Sequence, residues 1–541
     1  MNIQSYVTNK LLILVFLIGI SAFAFCIGCD RSPRSPLDRA GHLMDKGDFA
    51  GAVSILDKQV KDSPSDSQPL IMRARARQAM EELDLAIQDF NSAIQVNPDS
   101  WAAWEARGKF LAYLKDYDSA LRDLEKASLL QPQSSSLISA IGLTYFSKEN
   151  YQEALRLFDK STSLDDREES AYFGRAAIFI EEKKYDTAIH EMDRLLKISP
   201  KNAQAIFRRG FALLKANQPG KALADFNKAL DLDPDMKEIY WYRAEAHWSG
   251  GDLELALKDY KKAEETNLND PILFLNQASI LMMMGRYAEA LTNFRRSIVL
   301  DPENPKPYVD RAVLYLGTGN FLPALRDINK ALDIQGDDPW LLVKRSYIFK
   351  LMARGDRALE DLDTAVKLDP DNHEAWLLRG SLYFNEKQLE RALGDLKEAI
   401  RLLPDNPAPY QLMAEALLRK GDTAQALDSV GRALEKESSF VPAYLTMGDI
   451  HMTDSHIERA VEAYSRALSI DPNHFDARLR RGKLFMELNE YQRAVTDLEQ
   501  AAKTNPYSGE VYMLRAQCYE VLGDPEKARQ DSWKARVFAH R

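Results

Sequence analysis

Residues 339–372 read PWLLVKRSYIFKLMARGDRALEDLDTAVKLDPDN, and this stretch decides the fold. Leu342, Ser346 and Phe349 fall on one face of a helix, and so do Ala358, Leu362 and Ala365. Arg354-Gly355 lies between the two runs and breaks them. Pro370 closes the second, because proline has no N–H and clashes with the turn before it. The reading is a pair of short amphipathic helices joined by a tight turn. Ala358 is also one of fifteen alanines spaced 34 residues apart, from Ala52 to Ala528, with no insertion or deletion between them. Such a period marks a repeat array. Each repeat meets mainly its neighbours, so any function must lie on a surface made by stacking.

Numbered from 1 to 34, repeat one is 33–66 and repeat fifteen is 509–541. Position 8 is always small, as in Ala74, Gly142, Gly210, Ser346 and Gly448. Position 4 is usually large, as in Trp104, Tyr172, Tyr308 and Trp376, and position 32 is often proline. Small residues at 8 and 20 let two helices approach closely. The pattern resembles the tetratricopeptide repeat (TPR) over residues 33–541. That resemblance implies an all-α fold, a right-handed α-solenoid superhelix of about 15 helix-turn-helix hairpins. It also implies that the first helix of each pair lines a concave face.

A charge pair recurs inside the repeat. Position 7 is Arg in eleven repeats and position 23 is Asp in nine, and all nine Asp repeats carry the Arg. Arg175 has Glu191 in place of Asp. Repeats four, twelve and thirteen lose both partners (Ile141/Leu157, Met413/Ser429, Met447/Ala463). Repeat eight carries Gln277/Asn293, and Arg39 faces Ile55. Positions 7 and 23 lie level in a hairpin turning at 15, so the pair is expected to join the two helices of one repeat. Loss of both together fits the cost of a buried charge left alone, about 3–5 kcal/mol. This is read as structural wiring.

The chain opens differently. Lys10 precedes an uncharged run, Leu11 to Gly28, that ends in Cys26-Ile27-Gly28-Cys29. A positive flank, an apolar stretch and a small residue read as a secretory signal over 1–29. Gly28-Cys29 resembles the lipobox of bacterial lipoproteins, which implies lipidation of Cys29, although Cys26 stands where the family has an aliphatic residue. An uncleaved membrane anchor is the alternative, since 18 such residues barely span a bilayer. Residues 30–36 read as a short polar linker that tethers the array close to the membrane. Asp30 resembles the inner-membrane retention residue of enteric lipoproteins. Pro36 at position 4 of the first repeat and Ser532 at position 24 of the last make both terminal repeats atypical, as array ends are expected to be.

No catalytic or metal signature stands out. There is no Walker loop, HExxH, nucleophile elbow or metal-spaced Cys/His cluster, so no enzyme activity, cofactor or metal is expected. His247 and His451 fall at position 11 and read as satisfied packing residues. Cys518 reads as a small buried thiol. A net charge of −10 lacks the basic footprint that nucleic acid requires. By analogy with the family, positions 2, 5, 9, 12 and 13 face the groove. The strip through repeats six to ten includes Phe207, Phe211, Trp241, Trp248, Met282, Met283, Trp340 and Tyr347. An aromatic and methionine-rich strip suits peptides or helices. Close packing between neighbouring first helices takes the same residues. The expectation is a non-enzymatic scaffold for protein or peptide partners, tethered in a bacterial cell envelope and facing the periplasm or exterior. The alternative is an anchored import or chaperone-docking receptor facing the cytosol.

Overall fold

The computed structural model describes residues 35–265 and 269–538. They divide into two compact units, Met1–Leu268 and Asn269–Arg541. Among the described residues there are thirty helices and no strand, and the fold is an all-α solenoid. In the first unit the helices run from α1 (Pro36–Asp45) to α14 (Leu253–Glu265). In the second they run from α15 (Pro271–Met283) to α30 (Pro525–Phe538). Odd-numbered helices are the first of each pair and even-numbered helices the second. The segment 1–29, with Cys29, lies outside the described residues. No described helix is long and apolar enough to cross a membrane.

The first helix begins earlier than the linker reading allows. Asp38 N donates to Ser35 Oγ at 3.0 Å and Ser35 N donates to Asp38 Oδ2 at 3.1 Å. This reciprocal cap makes Ser35 the cap of α1 and Pro36 its first residue, so the last two residues of the expected 30–36 linker are structured.

The recurring alanine lies in the core of every repeat. All fifteen are at most 3% exposed. Position 8 meets position 24 across the same interface. A Cβ built on Gly142 would lie 2.8 Å from the Phe158 ring, and one on Gly448 would lie 2.3 Å from Tyr464. In these two repeats the ring stands where a Cβ would go, whereas Ala74, Ala244 and Ala278 carry a methyl opposite Phe90, Tyr260 and Phe294. The space differs from repeat to repeat: Gly482 has 3.3 Å to Leu498, but Gly108 only 2.8 Å to Leu124. The buried side chains gather in local clusters drawn from two or three successive hairpins, such as the one from Tyr308 to Leu382.

Every hairpin turns the same way. In all fifteen repeats the residue at position 15 is left-handed, with φ between 56° and 88°. Six of these are glycine; the other nine, such as Ala353 and Lys387, adopt it against an intrinsic cost of about 1–2 kcal/mol. Position 4 does more than fill space. Trp104 and Trp376 donate their indole N–H to the carbonyls of Pro98 and Pro370 at 2.8 Å. Tyr308 and Tyr410 reach the carbonyls of Pro302 and Pro404 at 3.2 Å. The aromatic tip thus satisfies the loop that the position-32 proline creates.

The arginine pair forms inside each hairpin, as its level placement implies. In α19 (Pro339–Leu351) and α20 (Gly355–Leu368), Arg345 donates through Nε to Asp361 Oδ2 at 2.8 Å and through Nη2 to Oδ1 at 2.7 Å. The same two-pronged fork recurs in all nine Arg/Asp repeats. Each of these aspartates is at most 6% exposed. The planar guanidinium matches the carboxylate edge, which a lysine could not do. Glu191, one methylene longer, meets Arg175 through a single Nη2 contact of 2.5 Å. In repeat four the vacated site is apolar, and Ile141 and Leu157 are buried in one cluster.

Candidate partner-binding surface

The groove candidates of the first compact unit are mostly packing residues. Phe207 is 1% exposed and stacks against Phe226 and Tyr242, with ring centres 6.0 and 5.6 Å away. Phe211 is also buried, edge-on to Tyr242 at 5.1 Å. Both belong to the contact between neighbouring first helices, not to an open surface. The reason is that large residues at position 5 or 9 fill the gap to the next helix before they can line a groove. Trp241 and Trp248 are half-buried. Trp241 lies edge-on to Tyr260 at 5.8 Å, and its indole N–H donates to Glu245 Oε1 at 3.1 Å.

The candidates of the second compact unit behave differently. Met282 is half-buried, but Met283 is 60% exposed, Trp340 47% and Tyr347 44%. On α19, Trp340, Lys344, Tyr347 and Leu351 recur at intervals of four, three and four residues, so they share one helical face. That face is about 16 Å long at the helical rise. Leu351 is exposed as well, and so is Val313 on the preceding first helix, α17 (Lys306–Gly317). The Lys344 ammonium lies 5.2 Å from the Trp340 ring centre and pairs with Glu374 at 2.8 Å. On the flank, Lys350 donates to Ser381 Oγ at 3.1 Å, and burial pushes its ammonium below the usual lysine range.

Leu351 and Lys350 were legible only in part from the sequence. Leu351 sits at position 13, a groove position, but leucine there also fits a helix end. That Lys350 pairs with a hydroxyl shows only in three dimensions.

The histidines pack as expected but are not fully satisfied. Nδ1 of His247 and of His451 is buried without a hydrogen-bond partner among the described residues. Cys518 is fully buried, and burial pushes its thiol up to about 11, which makes it an inert packing group. Among the described residues no three His, Cys, Asp or Glu side chains gather as a metal site.

Comparison with known proteins agrees with the repeat geometry. Tetratricopeptide repeat models match residues 71–136, 139–203, 207–270 and 352–407, and further such models match 383–447 and 448–519. No curated protein matches the chain. Among solved structures, the APC/C hetero-tetramer Cut9-Hcn1 is 14% identical over 90% of this chain and 96% of that one, with a TM-score of 0.41. A tetratricopeptide repeat protein from Parabacteroides merdae is 21% identical over 46% of this chain and 98% of its own, at a TM-score of 0.40. Naa15/Naa10 bound to HypK-THB is 13% identical, covers 93% of each chain and scores 0.37. With thirty described helices paired at a 34-residue period and family models along most of its length, the chain belongs to the tetratricopeptide repeat family.

Proposed function

We propose that this repeat array is a membrane-tethered scaffold that holds protein partners outside the cytoplasm, in envelope assembly, secretion or export. The observation that carries the scaffold reading is the exposed apolar face of α19, Trp340, Tyr347 and Leu351. A soluble helix that leaves two aromatics in water along one face is suited to a partner that covers them. The tether reading rests on Lys10, the uncharged run Leu11 to Gly28, and Gly28-Cys29. The experiment has two arms. Labelling with radioactive palmitate should mark the parent chain, and Cys29→Ala should abolish the label. An unlabelled parent chain would refute the lipoprotein reading and favour the uncleaved anchor. In the second arm, crosslinking and pull-down compare the parent with Trp340→Ala/Tyr347→Ala. Loss of specific crosslinked proteins supports the α19 face, and unchanged recovery of the same proteins rejects it.

A further inference from the structure

In eight repeats the arginine does more than pair with its own acid. Its third nitrogen, Nη1, reaches back to position 25 on the second helix of the preceding repeat, at 2.6–3.0 Å. Acceptors include Asp57, Asn91, Asp193, Asn329, Asp363 and Ser465. One side chain therefore ties three helices: its own, its hairpin partner, and the helix before. The forked Asp belongs to the hairpin; the position-25 acceptor belongs to the joint between repeats.

Position 25 loses its acceptor at several of the joints where the clamp is missing. Lys397 precedes Met413, and Gly431 precedes Met447. Glu125, exposed to solvent, precedes Ile141. Arg311 forks Asp327 through Nε and Nη2, but position 25 before it is Arg295, a like charge that offers no acceptor. Both positions change at Lys397/Met413 and Gly431/Met447, whereas Ile141 follows an acid, Arg311 follows a cation, and Arg515 keeps only its fork to Asp531 with Glu499 before it. A cation at 25 next to an arginine at 7 would place two positive charges against each other, so the arginine goes or the contact does.

We infer that the array is assembled as clamped blocks that open one block at a time, with repeat twelve clamped on neither side. Within a block, opening one repeat must break a charge-assisted hydrogen bond held by its neighbour, so the repeats open together. At an unclamped joint apolar packing and solvent-exposed bonds connect them, and between repeats eleven and twelve these include Lys420–Glu390 at 2.7 Å, Lys436–Asp405 at 3.0 Å and Arg419 donating to the Phe384 carbonyl; exposed pairs contribute little, so opening stops there. In the second compact unit, repeats nine to eleven end at Lys397 and Met413. Repeat twelve comprises α23 (Pro407–Lys420) and α24 (Thr423–Lys436), bounded on its far side by Gly431 and Met447. In the first unit, repeats one to three end before Ile141. Along the inner face Gln411 donates to Thr446 Oγ1 at 2.8 Å and Thr446 donates to Glu415 Oε1 at 3.3 Å, contacts made by the first helices alone.

Native-state hydrogen exchange of the full chain, read by mass spectrometry, tests this. In the parent, α23 and α24 should exchange before α21 (His373–Asn385) and α22 (Leu389–Leu402), while repeats ten and eleven exchange at a common rate. Asp363→Asn copies the acceptor found at Asn91 and Asn329 and should leave that common rate in place. Asp363→Lys copies Lys397 and should speed exchange of α21 and α22 about tenfold, the effect of losing one charge-assisted bond. Asp363 is half-exposed, so both variants fold. The graft Lys397→Asp/Met413→Arg/Ser429→Asp should slow α23 and α24 about tenfold and bring them to the rate of repeat eleven. Equal effects of Asn and Lys at 363 would overturn the inference. So would repeat twelve exchanging in step with its neighbours in the parent.

Discussion

Removing one partner of the fork should cost more than removing both. In Asp361→Ala the carboxylate that accepts from Arg345 at 2.7 and 2.8 Å disappears, and two guanidinium N–H groups lose their acceptor. Stripping one partner from a fully buried pair costs about 3–5 kcal/mol. The Arg345 side chain is 26% exposed, so water recovers part of this, and the expected loss is about 2–3 kcal/mol. Arg345→Met/Asp361→Ala reproduces the Met447/Ala463 arrangement that this chain already uses. It removes the fork and the Nη1 bond to Asn329, each worth about 1 kcal/mol net, and leaves no stranded charge. The remaining difference of up to about 1 kcal/mol is up to roughly fivefold in local opening. A global melt is the wrong readout, because long repeat arrays do not unfold as one two-state body. The measurement is hydrogen exchange of α19 and α20 in the two variants and the parent. A double variant that exchanges as fast as Asp361→Ala, or faster, would falsify the claim that these pairs are lost together because a lone charge is intolerable.

Four further variants have expected outcomes. Gly448→Ala drives a methyl to 2.3 Å from the Tyr464 ring and should destabilise repeat thirteen by about 1–3 kcal/mol. Gly482→Ala has 3.3 Å to Leu498 and gains about 1 kcal/mol of helix propensity, so it should be near neutral by the same exchange measurement. Ala353→Gly relieves a left-handed alanine at φ 56° and should stabilise its turn by up to about 1 kcal/mol, seen as slower exchange in α20; faster exchange would place the strain elsewhere. Burial, with Arg459 and His456 nearby, holds the His451 imidazolium below the usual histidine range, while Asp454 and Glu462 oppose this. The unfolded chain therefore binds the proton more tightly, so stability of repeat thirteen is present above the ordinary histidine pKa and falls as the pH drops through it. His451→Phe should flatten that decline in pH-corrected exchange of α25 (Val441–Thr453), and an unchanged slope would assign it to other groups.

Period and composition were enough for the hairpin, because every 34 residues hold two amphipathic runs broken at a turn and often ended by a proline. The alanine at position 20, the small residue at position 8 and the level arginine–acid pair are all local to one repeat, so their spacing alone locates them. What lay between repeats was harder to read. The contact from Arg379 to Asp363 spans sixteen residues backwards, and its acceptor varies among Asp, Asn and Ser at this position, so it carries no single-letter signature. The donor role of the position-4 aromatics was hidden for the same reason: its acceptor is a backbone carbonyl, which leaves no trace in residue type. The candidate surface divided along the same line. Spacing placed Phe207, Phe211, Trp340 and Tyr347 on first helices at groove positions. Whether each ring faces water depends on how far its neighbouring helix stands away, and that distance is set by the side chains of the next repeat. Phe207 meets Tyr242 and is buried, while Trp340 and Tyr347 meet no such cover and stay exposed. The sequence by itself determined the hairpin and the arginine–acid pair inside it; only the tertiary structure decided the bonds between repeats and which apolar residues are core and which are surface.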